Sequence, residues 1–130
     1  MKVAQWLRVR GTTGRDMLGM SAATFIALER MLKREGGLVD GKRIKAREQL
    51  AIFLYISRFA ASTRQAADTF GHSATSIGTA FKSILKALLT PEIYNRQVSM
   101  SSASDIHDRI AMSTDLFPFF KNVAGAIDGS

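Results

Sequence analysis

Two groups of side chains have types and spacings that point to chemistry, and the first is acidic. In FKNVAGAIDGS, Asp128 follows an alternating apolar stretch and precedes a Gly turn, the way a strand end delivers a carboxylate to a metal. A single carboxylate does not hold the metal pair used in phosphodiester cleavage, where attacking and leaving oxygens are both stabilised by ions held from several directions. Asp105, His107 and Asp108 in SSASDIHDRI also have ligand chemistry, but a polar linker or short exposed helix accounts for them equally well. Neither His72 nor His107 has a Ser or Cys at a nucleophilic spacing. Asp128 is therefore either incidental or part of something larger, and no catalytic residue, metal site or cofactor is expected within these residues.

The second group is a stripe of hydroxyls and cations. Thr75, Thr79, Lys82 and Lys86 recur at helical spacing, with Ser76 beside them and Ser73 at the start. Ser and Thr hydroxyls exchange hydrogen bonds with base edges in a DNA major groove, and a Thr methyl packs on a thymine methyl. Lys82 and Lys86 would anchor phosphates further along, with Arg64, Arg8 and Arg10 as additional contacts. The alternative is an ordinary helical hairpin with a solvated polar face.

The elements that would position the stripe are punctuated clearly. Ser21 caps a helix from about Ala22 to Glu35, with Phe25, Leu28 and Leu32 on one face and Gly36-Gly37 as the stop. GKRIK is a basic connector. Ala46 to Phe59 follows as a helix whose LAIFLYI run is apolar nearly all round, the pattern of a helix buried on several sides at the centre of a domain. Ser62 and Gln65 have capping-box spacing, so a short helix is expected from Thr63 to Phe70, with Gly71 as its turn. Ser73 caps a longer helix to about Leu89, and Pro91 restarts the chain. A short helix, a Gly turn and a longer helix form a helix-turn-helix over 62–89. Ala66, Ala67 and Ala80 would allow close approach there, while Ile77, Phe81, Ile84 and Leu88 form the core stripe of the second helix.

Composition sets the wider bounds. The 130 residues suit one ordinary domain, and with 46% of them apolar most of the chain is expected to fold. There is no cysteine, so disulfides and thiolate metal sites are excluded. No apolar run approaches the ~20 residues of a membrane-spanning helix. The net charge of +7 is concentrated at the front, where residues 1–47 carry eleven Lys/Arg against four acids. Such a basic segment suits phosphate contacts, to nucleic acid or to an anionic membrane. MKVAQWLRVRGTTGR lacks the apolar core of a secretory signal and reads as a basic arm for DNA phosphates or a minor groove, with a mitochondrial presequence as the minor alternative.

Two stretches also resemble Harbinger-type transposases and the nucleases derived from them. REQLAIFLYISRFAASTRQAADTFGHSATSIGTAFKSILKALL is similar to that family's N-terminal helical region, through Phe70, His72, Ser73, Ser76, Ile77 and Phe81. FPFFKNVAGAIDGS is similar to its Gly-Ala-Ile-Asp-Gly-Thr segment, with Ser130 in place of the usual Thr. The resemblance implies that Asp128 holds the place of the first of three acidic ligands in a ribonuclease-H-like core. The other two acids would lie downstream, so the chain reads as a DNA-binding front end joined to one strand of a nuclease domain. It further implies a nuclear location and a separate Myb-like DNA-binding partner.

Together these observations predict an all-α fold: a basic arm over 1–20, a helical domain with the helix-turn-helix over 21–98, and an irregular extension over 99–130. The expected function is non-enzymatic DNA binding, with a chromatin protein or a second copy as further partners and no membrane. The alternative is a protein-interaction subunit docking through LFPFF at Leu116 to Phe120, whose phenylalanines need a surface to cover them.

Overall fold

In the computed structural model, residues 3, 4, 12–99 and 106–125 are described. Every regular element among them is helical: α1 (Thr12–Leu18), α2 (Ala22–Arg34), α3 (Ala46–Phe59), α4 (Thr63–Phe70), α5 (Ala74–Leu88), α6 (Pro91–Gln97) and α7 (Asp108–Ala111). The fold is all-α. The chain divides into two units, one up to Tyr94 and one from Asn95.

Local chemistry sets the helix ends in the first unit. Ser21 Oγ accepts the Thr24 N–H at 3.2 Å and so satisfies an amide that has no partner within α2. At α4 both halves of a capping box are formed. Ser62 Oγ accepts from Gln65 N at 3.2 Å, and Gln65 Oε1 accepts from Ser62 N at 2.8 Å. Gly71 ends α4 at φ 74°, a left-handed conformation that an L side chain adopts only with strain. Ser73 then opens α5 by accepting from Ser76 N at 3.2 Å.

Packing centres on α3, which lies against α1, α2, α4 and α5. Its Leu50, Ala51 and Ile52 are fully buried, and Phe53 to Ile56 pack around that centre, as expected of a helix apolar nearly all round. From α5, Ile77 and Ile84 are fully buried, while Phe81 stacks on Phe53 with ring centroids 4.8 Å apart. Ala66 and Ala80 are buried between the helices, and Phe70 closes the junction edge-on to Tyr55 at 5.6 Å. A buried carboxylate joins two helices: Glu29 of α2 receives Lys33 Nζ at 3.0 Å and Arg47 Nε of α3 at 2.7 Å.

The front of the chain departs from a free basic arm. Residues 12–18 are helical, Leu18 is buried, Met17 packs on the core, and Val3 is fully buried. The cause is hydrophobic: Val3, Met17 and Leu18 bury apolar area in the core cluster, and α1 packs on the central helix α3. Arg8 and Arg10 lie outside the described residues.

In the second unit, the strand-like tail, which the sequence places in an irregular extension, forms no strand in its described part. Val123 to Gly125 have no regular structure, and no strand exists among the described residues to supply ladder partners. Residues 126–130, Asp128 among them, lie outside the described residues. The unit otherwise holds the short α7 and a run of turns through LFPFF.

Candidate nucleic-acid interface

The stripe read from the sequence lies on one exposed face of α5, with Thr75, Thr79, Lys82 and Lys86 open and Ser76 half-buried. No acid occurs anywhere in α5. Its hydroxyls are more constrained than the sequence indicated. Thr79 Oγ1 donates to Thr75 O at 3.0 Å, and Ser83 Oγ donates to Thr79 O at 3.0 Å. Each donor is thus used within the helix, and the oxygen lone pairs are what the face presents outward. Ser73 and Ser76 bond to each other, Oγ to Oγ at 2.9 Å, so Ser73 acts first as a cap. Arg64 is exposed on α4.

Beside this face runs the loop connecting α2 to α3, which the sequence marked only as a basic connector. A cavity of about 230 Å³ opens between them, lined by Lys42, Arg43, Ile44 and Gln49 on one side and by Thr75, Thr79 and Ser83 on the other. The loop is built rather than loose. Lys45, at the start of α3, makes no side-chain cap. Asp40 does so instead, its Oδ1 accepting the Ala46 N–H at 2.9 Å. That bond holds the Asp40 carboxyl below its ordinary value of 3.8; partial desolvation opposes it, and Lys33 and Lys45 reinforce it. Gly41 N donates to Ile44 O at 3.1 Å, so close that a Cβ on Gly41 would sit 2.7 Å from that oxygen.

Gln49 fastens the loop from beneath. It is 5% exposed, and its Nε2 donates to Val39 O at 3.2 Å and Ile44 O at 3.0 Å. Two carbonyl acceptors on one side fix the amide orientation, so Oε1 faces away from them, and it has no hydrogen-bond partner among the described residues. Lys42 and Arg43, like Lys82 and Lys86, join none of the ion pairs found there, which use Glu29, Glu35 and Glu48. Two of these cations, Lys42 and Arg43, line a hydroxyl-rich concavity, and Lys82 and Lys86 lie further along the exposed face of α5.

The remaining candidates separate from this site. His72, in the turn before α5, is half-buried with Nε2 at 3.3 Å from Glu48 Oε1, in ion-pair range but misaligned for a hydrogen bond. His107 Nδ1 accepts from Arg109 N at 3.2 Å and caps α7. No group of three or more metal-ligating side chains occurs among the described residues, and none of their helices is long and apolar enough to cross a membrane.

Lys42, Arg43, Gln49 and Ser83 are absent from the stripe legible in the sequence. GKRIK was the available signal, but its place beside α5 depends on how α2 and α3 pack.

The chain belongs to the DUF8040 family, described as a domain of unknown function, whose model matches residues 1–90. The matched span includes α1 to α5 and both walls of the cavity. No curated protein and no solved structure matches the chain.

Proposed function

We propose that the protein binds DNA through the exposed face of α5, with α4, the Gly71 turn and α5 acting as a helix-turn-helix. The observation that carries this reading is the acid-free α5 surface, where Lys82 and Lys86, like Lys42 and Arg43 of the neighbouring loop, join no ion pair among the described residues. A protein surface normally intersperses both signs. Clustered, unneutralised cations instead favour a polyanion, because each phosphate they contact releases counterions. Thr75 and Thr79 would meet base edges with methyl groups and acceptor oxygens, and the cations would hold the backbone.

Gly78 fits the same use. A Cβ there would touch nothing within 4 Å, so core packing does not require a glycine, although a mid-helix Gly costs about 1 kcal/mol relative to Ala. A bare spot on this face lets a nucleic-acid backbone approach closely. The resemblance of the sequence to Harbinger-type transposases points the same way and suggests a nuclear protein. Binding to a randomised duplex pool, with excess competitor DNA, tests the proposal. Enrichment of one sequence is expected, and binding that any competitor removes equally contradicts specific reading.

One observation favours a second function, protein docking through the C-terminal unit. Phe119 is 82% exposed and Met112 84%, with Phe117 and Phe120 also open. Phe119→Ser should abolish such docking, or self-association measured by sedimentation, while leaving DNA affinity unchanged.

A further inference from the structure

We propose that the cavity between the Gly41–Ile44 loop and α5 is a nucleotide site, taking one nucleoside phosphate whose base carries an exocyclic amine. The proposal goes beyond duplex binding, since the nucleotide arrives either free or as an unstacked unit of a strand.

Size is the first argument. About 230 Å³ is several times the ~30 Å³ share of one water and lies just under the ~300 Å³ where small-molecule pockets begin. That space suits one planar fragment and is excessive for a lone ion. Construction is the second. The loop wall is held by the Asp40 bond to Ala46, the Gly41 bond to Ile44 and two bonds from a buried Gln49, so little ordering remains to be done when a ligand enters.

Chemistry selects the occupant. Lys42 and Arg43 call for an anion. Thr79 and Ser83 have already given their protons to helix carbonyls and offer lone pairs along the cavity wall. A simple anion would face those acceptors unfavourably, and a simple amine would be repelled by the two cations. A nucleotide satisfies both halves at once: its phosphate meets Lys42 and Arg43, and its exocyclic amine donates to the acceptor wall. Ile44 and Ala80 supply apolar contact for the base. Thymine, which has no exocyclic amine, is the poorer fit.

The test is an amide NMR titration of the full chain with dAMP, dCMP, dTMP, inorganic phosphate and a short single strand of A and C. Saturable shifts at residues 42, 43, 49, 79 and 83 are expected with dAMP or dCMP, at least fivefold weaker with dTMP and tenfold weaker with phosphate. Ser83→Leu, which fills the cavity from α5, should abolish them. Lys42→Ala on the exposed loop should weaken them about tenfold and covers the case in which the filled variant fails to fold. Shifts at these residues with the single strand alone, lost in Ser83→Leu, also support the site and assign its source to a strand. Phosphate binding as well as nucleotide, shifts that survive in a folded Ser83→Leu protein, or no saturable shift with any probe would each overturn the proposal. Failure of duplex binding is read separately, from salt-dependent duplex affinity.

Discussion

Thr79 and Lys82 are neighbours on α5 with different chemical reach. Thr79 Oγ1 is already bonded to Thr75 O, so the side chain offers a methyl and an acceptor, both suited to reading one base pair. Lys82 offers a mobile point charge, suited to any phosphate. Thr79→Ala should therefore relax preference at a single position by about 1–3 kcal/mol, and Lys82→Ala should weaken all sequences alike and lower the salt slope by about one. Affinities measured across a panel of single-base variants separate the two effects. Asp40 is tested by pH. Its carboxyl is held below 3.8 by the Ala46 N–H, so the stability it contributes is fully present above that value and is lost as pH falls through the lower, folded value. Asp40→Asn keeps an acceptor but cannot titrate, and should flatten the acid side of the Tm-against-pH curve. Identical curves for the two proteins would remove Asp40 as the cap of α3.

At the scale of elements, the caps and the interior glycine make opposite predictions. Ser62→Ala breaks a reciprocal pair of bonds at the start of α4 and should cost about 1 kcal/mol. Gly78→Ala should stabilise α5 by about 1 kcal/mol, since the new methyl meets open space, and should weaken DNA binding if the backbone is approached there. Denaturant unfolding of both variants checks the signs. The legibility of these helices has the same origin. Ser21, Ser62, Ser73, Gly71 and Pro91 are local punctuation whose chemistry operates within four residues, so the helix ends follow from the sequence. Asp40 caps α3 from six residues upstream of Ala46, beyond any local pattern. The core positions of Val3 and Leu18 were hidden in a segment whose charge dominated its few apolar residues. The cavity was the least legible feature, because GKRIK and the α5 hydroxyls lie about thirty residues apart in the chain and meet only through the packing of α3 on its neighbours.

Across the molecule, the excess charge of +7 and the acid-free α5 act together. A uniformly basic chain attracts DNA weakly wherever it touches, whereas a localised interface loses affinity only when its own charges change. The most direct test of the DNA-binding account is the salt dependence of duplex affinity for the full chain, compared between Lys82→Glu and Arg109→Glu. The two substitutions change net charge equally but lie on α5 and α7. With Lys42, Arg43, Lys82 and Lys86 each contacting a phosphate, the unaltered protein should give a log–log slope of about −3 to −4. Lys82→Glu should lower affinity at least tenfold and make the slope shallower, with Arg109→Glu nearly indistinguishable from the unaltered protein. Equal losses for the two variants, or a slope near zero for the unaltered chain, would contradict an interface on α5.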